Sequence, residues 1–128
     1  MLVDTDVLIW YMRGQPPAAK FLAELQAFSI SAVTYMELIQ GMRNKAELLA
    51  LRRALTTWRT PVLPVTEAIS NRAMTYVEEH FLSHSLRLGD ALIAATAVEH
   101  GLSIATANTK HYRVLSELVL HPFQPGSR

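Results

Sequence analysis

Asp90 opens a run, Asp90-Ala-Leu-Ile-Ala-Ala-Thr-Ala-Val, that has the length of a helix but no polar face. A helix that is apolar almost all round must be buried. Alanines at 91, 94, 95 and 97 let it lie close against a sheet, and Gly101 stands where a helix stops. Its single acid, Asp90, then sits at the rim of the core. The chain must therefore supply a layered interior with one charged group at its edge.

The rest of the sequence supplies the layers. Short apolar runs, expected as strands, occur at Leu2–Val3, Phe28–Ser31, Val62–Val65, Ser103–Thr106 and, at an edge, Val119–His121. Pro64 makes the third of these weak. Between them lie helical patterns: a short one to Arg13 closed by Gly14, one opened by Pro16 and running to about Ala27, then Val33–Met42, Leu48–Trp58, Glu67–Phe81 and Gly89–His100. Strands alternating with helices imply right-handed crossovers and a parallel sheet covered on both faces. The expected fold is α/β: a three-layer α/β/α sandwich around a central, mainly parallel sheet of four to five strands. A single domain is expected over residues 1–122, followed by a loose tail at 123–128.

Composition narrows the function classes. With 128 residues and half of them hydrophobic, the chain can bury a core unaided. It has no cysteine, which excludes disulfide frameworks, thiolate zinc sites and cysteine nucleophiles. The net charge of +1 provides no global field for a polyanion. The stretch from Arg43 to Arg72 leans basic, and reads equally as a solvated helix face or an RNA track. Asp4 and Asp6 interrupt the first apolar run, which has no basic leader, so a signal peptide is not expected. No apolar stretch approaches the roughly 20 residues of a spanning helix. A soluble, cytoplasmic protein with no membrane partner is expected.

The only three aspartates are Asp4, Asp6 and Asp90, each at the edge of an apolar segment. Taken singly, the acids have ordinary explanations. Asp90 reads as an N-cap, and Thr34-Tyr-Met-Glu37 has capping-box spacing. Asp4-Thr-Asp6 reads as a strand-to-helix turn capped by Thr5 or Asp6. Taken together, Asp4 follows the first strand, Glu37 lies in the helix after the second, and Asp90 begins the helix that feeds the fourth. In a parallel sheet these positions converge beyond the carboxyl ends of the strands, where working groups collect. Converging carboxylates repel one another, and a hard divalent cation, Mg²⁺ or Mn²⁺, is the natural partner of an all-oxygen site. Such an ion activates water for phosphodiester displacement.

Four blocks, in order, resemble the PIN-domain ribonucleases of the VapC toxin type: Leu2-Val-Asp-Thr-Asp-Val-Leu-Ile, Ser31-Ala-Val-Thr-Tyr-Met-Glu-Leu-Ile-Gln-Gly, Leu88-Gly-Asp-Ala-Leu-Ile-Ala-Ala-Thr-Ala and Gly101-Leu-Ser-Ile-Ala-Thr-Ala-Asn-Thr-Lys-His-Tyr. The resemblance implies that Asp4, Glu37 and Asp90 are catalytic, metal-binding acids. It implies that Thr5 and Thr106 are hydroxyls near the site and that Asn108 braces the loop after the fourth strand. It also implies RNA as substrate, a homodimer and a cognate antitoxin protein, with DNA reached only indirectly through the antitoxin complex.

The sequence departs from that pattern twice. Asp6 stands where asparagine is frequent, either adding charge near a metal or capping the helix. His111 stands where many members carry a fourth acid, and reads as a loop histidine, a metal neighbour or a proton shuttle. With three carboxylates, a second metal should bind less tightly, and manganese should be preferred over magnesium. The alternative to an endoribonuclease is a PIN-fold RNA- or partner-binding module that cuts weakly or not at all because His111 replaces an acid. A phosphatase-like or receiver-like metal site is the third reading. The aromatic residues Trp10, Tyr11, Trp58 and Phe81 fall on apolar helix faces and are expected in the core or an interface.

Overall fold

The computed structural model describes residues 1–83 and 85–125. Twelve elements follow in order: β1 Leu2–Val3, α1 Thr5–Met12, α2 Pro16–Leu25, β2 Ile30–Ser31, α3 Ala32–Gln40, α4 Lys45–Trp58, β3 Val62–Leu63, α5 Glu67–His80, α6 Leu88–Glu99, β4 Ile104–Thr106, α7 Thr109–Tyr112 and β5 Leu120–Pro122. Strands β1, β4 and β5 form one parallel sheet with β4 in the middle, and β2 and β3 form a second parallel pair. A bridge between Leu2 and Ser29, with Val3 N–H donating to Ser29 C=O at 2.9 Å, joins the two pieces in the order β3-β2-β1-β4-β5. Pro122, which has no N–H to give a ladder, lies in the edge strand β5.

Successive strand residues face opposite sides, so each strand feeds two cores. Leu2 and Ile104 pack with Ile69, Ala73, Ala91, Ile93, Ala94 and Tyr112 from α5, α6 and α7. Val3, Ile30 and Ala105 pack on the other face with Val7, Leu8, Leu22, Leu51 and Leu55 from α1, α2 and α4. The expected α/β/α layering is present. Helix α3 spans both sides, with Val33 in the first core and Leu38 in the second. The expected burial of α6 is also found: Ala91, Ala94, Ala95 and Ala97 are each 0% exposed. Among the described residues no helix is long and apolar enough to cross a membrane.

The boundaries shift where local caps overrule periodicity. Asn44 Oδ1 accepts from Glu47 N–H at 3.0 Å, so α4 begins at Lys45, before the expected Leu48. Gln26, at φ 65°, turns the backbone left-handed and ends α2 short of Ala27. Phe123, placed by the sequence in a loose tail, is instead buried, and its ring lies 5.0 Å from that of Phe21. Residues 126–128 of that expected tail lie outside the described residues. Phe81 is 67% exposed and belongs to no core.

Candidate active site

The carboxyl end of β1 runs straight into α1, and Asp4 occupies the junction. Its backbone is extended and its side chain caps the helix, Oδ1 accepting from Thr5 N–H at 2.8 Å. The other oxygen faces β4 and α7. Oδ2 accepts from Thr106 Oγ1 at 2.8 Å and from the Tyr112 hydroxyl at 2.9 Å. The residue is 5% exposed. Burial pushes its carboxyl up from 3.8 to about 7, with the charge of Asp6 adding to the rise and the bonds from Thr106, Tyr112 and Thr5 opposing it.

Asp6 does not cap α1, as one sequence reading had it, because Asp4 does. Its Oδ2 instead ties α1 to the loop after β4, accepting from Ala107 N–H at 3.0 Å and Asn108 Nδ2 at 2.9 Å, with Thr106 Oγ1, whose proton goes to Asp4, 3.3 Å away. Its Oδ1 is buried with no hydrogen-bond partner. Burial raises the Asp6 carboxyl as well, against the lowering effect of the Ala107 N–H. Asn108 thus braces this loop by bonding Asp6, and its own N–H donates to Thr106 Oγ1 at 3.0 Å.

Glu37 is likewise not half of a capping box. Helix α3 is capped by Ser31, whose Oγ accepts from Val33 N–H at 3.0 Å. Thr34 is buried, and Thr5 Oγ1 lies 3.0 Å from its hydroxyl and 2.6 Å from Glu37 Oε1. The carboxylate of Glu37 abuts Gly89, where an added Cβ would stand 2.6 Å from Oε2. Glycine at that position lets α6 and the acid approach.

Asp90 is the third residue of α6 and not its cap. It reaches back to accept from Arg87 N–H at 3.0 Å, and the same oxygen lies 3.4 Å from His111 Nδ1. The structure therefore brings Asp4, Asp6, Glu37 and Asp90 into one neighbourhood, linked through Thr5, Thr106, Gly89, His111 and Tyr112. Sequence reasoning missed Tyr112 and the close approach at Gly89. The signal for Tyr112 is its setting, since a tyrosine in a buried block needs a partner for its hydroxyl. Burial, followed by the charges of Asp4 and Asp90, holds that hydroxyl well above a tyrosine's usual range.

These donors suit a hard cation in kind: they are carboxylate oxygens, one of them a buried Oδ1 without a partner. As they stand, no three His, Asp or Glu side chains among the described residues are drawn in to enclose an ion. Within the same residues, no Lys or Arg forms an ion pair with Asp4, Asp6, Glu37 or Asp90.

Comparison with known proteins gives the family and supports the fold. The PIN domain family matches residues 1–115. The chain is 39% identical over 132 residues to Ribonuclease VapC10 of Mycobacterium tuberculosis, covering 100% of this chain and 97% of that protein. It is 32% identical over 124 residues to Ribonuclease VapC19 of the same organism, covering 91% and 95%. Among solved structures, a toxin-antitoxin complex from Klebsiella pneumoniae superimposes with a TM-score of 0.78 at 30% identity, covering 92% of this chain and 94% of that one. The DNA-bound VapBC of Salmonella typhimurium shares the fold, with a TM-score of 0.83 at 20% identity over 96% and 97% of the two chains. The chain belongs to the PIN-domain family and, within it, to the VapC ribonucleases.

Proposed function

We propose that this protein is a metal-dependent endoribonuclease, the toxin of a toxin–antitoxin pair, in which Asp4, Glu37 and Asp90 hold Mg²⁺ or Mn²⁺. One observation carries the metal assignment. Four acids share one neighbourhood at the carboxyl ends of β1 and β4, and no Lys or Arg pairs with them among the described residues. Uncompensated carboxylates destabilise a fold, and a divalent cation removes that cost. When bound, it would supply an activated water and offset charge on the phosphate. The chain's own groups do the rest. Thr5 fixes the carboxylate of Glu37, Thr106 and Tyr112 fix that of Asp4, and Asp6 with Asn108 holds the loop that follows Thr106 in place.

The names of the relatives support ribonuclease activity, and the Klebsiella complex supports an antitoxin partner. A groove of about 750 Å³ suits such a partner. Leu8, Tyr11, Met12, Leu38, Leu51 and Trp58 line it, and Glu37 stands at its margin. An antitoxin segment seated there would reach Glu37. The exposed Arg52 and Arg53 of α4 make no ion pair among the described residues and remain available to RNA. A homodimer in the cytoplasm is part of the same proposal.

Purified protein incubated with RNA and Mn²⁺, with and without chelator and beside Asp90→Asn, tests it. Cleavage should require both the ion and Asp90. Cleavage that survives chelator or the substitution removes the mechanism. One observation favours the second reading, a binding module: His111 already contacts Asp90. RNA retention without cleavage in the same assay would establish it.

A further inference from the structure

Asp4 is held by more donors than a helix cap requires. Oδ1 accepts one N–H, from Thr5 at 2.8 Å, whereas Oδ2 accepts two hydroxyls, Thr106 at 2.8 Å and Tyr112 at 2.9 Å. Each oxygen of an ionised carboxylate offers about two lone-pair directions. Oδ2 is therefore filled, and Oδ1 keeps one direction free. Tyr112 is 0% exposed, so phenylalanine would fill the same space without burying a polar group. What tyrosine adds is a hydroxyl, and among the described residues its hydrogen-bond partner is Asp4. The adjacent His111, on the same single-turn helix α7, meets Asp90. One short helix thereby touches two of the acids.

Resting on the assignment of Asp4 as a metal ligand, we propose that Tyr112 is a positioning residue that, together with Thr106, occupies Oδ2 of Asp4 and leaves Oδ1 as the single atom this acid offers to a cation. One-pronged ligation favours a small ion of strict six-fold geometry. Calcium, which readily takes both oxygens of a carboxylate, is disfavoured. Tyr112 is then a determinant of which divalent ion the site accepts.

The test is calorimetric titration of the metal-free, full-length protein with Mn²⁺ and separately with Ca²⁺, comparing wild type, Tyr112→Phe, Asp4→Asn and Leu115→Ala. Tyr112→Phe keeps the ring and removes only the hydroxyl. It should weaken Mn²⁺ binding by about tenfold and weaken Ca²⁺ binding less, so that the Mn²⁺-over-Ca²⁺ preference falls. Leu115→Ala opens a cavity in the same core without touching an acid, and should leave the preference at the wild-type value. A Tyr112→Phe protein with the wild-type preference overturns the proposal, whatever its absolute affinities. If Tyr112→Phe does not fold, Thr106→Val frees the same oxygen and decides the question by the same ratio. Wild type that binds no Mn²⁺, or Asp4→Asn that binds it as wild type does, would instead overturn the metal assignment itself.

Discussion

Among the described residues two tyrosines donate to carboxylates, and their surroundings differ in charge. Tyr76 of α5 donates to Glu117, and Tyr112 of α7 donates to Asp4. Around Tyr76, Arg72 reaches Glu99 at 2.6 Å and Glu117 at 3.5 Å, so the acids there face a cation. Around Tyr112 the acids face hydroxyls, backbone N–H groups and one histidine. The first cluster lies in an open cleft of about 680 Å³ by the far end of α6, since Glu99 is nine residues, or roughly 13 Å, along the helix from Asp90. The first cluster is self-sufficient, as expected of groups that dock α5 against α6 and the segment before β5. The second holds its acids with no Lys or Arg paired to them among the described residues, the condition expected of a site built for a ligand.

The largest effect should come from neutralising one acid in each cluster. Asp4→Asn should lower RNA cleavage by about 100-fold or more, while Glu117→Gln should leave it unchanged. Initial rates at saturating Mn²⁺ measure both. Equal losses would dissolve the distinction between the clusters.

The same contrast predicts a direction for pH. Asp4 titrates near 3.8 unfolded and about 7 folded. Over that window the folded state binds the proton more tightly, so the contribution of Asp4 to stability falls as pH rises from about 4 to 7. Each unit is worth about 1.4 kcal/mol, giving a few kcal/mol in all. Urea unfolding of the metal-free protein across this range should show the decline. Asp4→Asn should remove most of it, and Mn²⁺ should oppose it at neutral pH.

Gly89→Ala separates placement of an acid from its charge. The new methyl would sit 2.6 Å from Glu37 Oε2, and the end of that flexible side chain must move. Alanine is also the better helix former by about 1 kcal/mol. Cleavage should fall by roughly tenfold with thermal stability unchanged or higher. A fall in both would mean that the backbone of α6, not Glu37, had shifted.

How much of this was legible in the sequence depended on the reach of the contacts involved. The alternation of strands and helices and the burial of α6 follow from local periodicity, and both are found. The convergence of Asp4, Glu37 and Asp90 followed from topology: Asp4 ends β1, Asp90 lies in the first turn of α6, and Glu37 sits within the helix that follows β2. The partners of those acids were not legible. Thr106 and Tyr112 meet Asp4 across 102 and 108 residues, and Asp6 meets Ala107 across 101. Local spacing therefore suggested a capping box at Thr34–Glu37 and a cap at Asp6, whereas Glu37 and Asp6 are engaged by other elements. Helix α7 is a single turn, too short to show a period. Phe123 was misplaced because one aromatic residue after a proline carries no pattern of its own.

A smaller effect is expected from Asp6→Asn. Asparagine can keep an oxygen where Oδ2 now accepts from Ala107 and Asn108, while removing the charge that helps to raise Asp4. Its amide nitrogen would fall where Oδ1 has no partner, so the gain is partial. We expect metal-free stability at neutral pH to rise by about 1 kcal/mol, and the pH-dependent decline to end at a lower pH, its start being set by the unfolded chain. Loss of stability would show that Asp6 is needed as an anion, and so that its charge is already balanced.

The smallest effect belongs to the compensated cluster. Arg72→Met keeps the apolar stem of the side chain and removes its charge. Arg72, Glu99 and Glu117 all keep part of their side chains in water, at 35%, 26% and 47% exposure. Ion pairs so exposed contribute about 0.2–1 kcal/mol, and the released carboxylates can turn to solvent. Unfolding should shift by no more than that, with Mn²⁺ affinity and cleavage unchanged. The asymmetry is physical: near Glu117 water can take over from a lost cation, while at Asp4, only 5% exposed, it cannot. A large loss of stability in Arg72→Met would place a desolvated network in the α5–α6 cleft as well, and charge compensation would then no longer tell a structural cluster from a functional one.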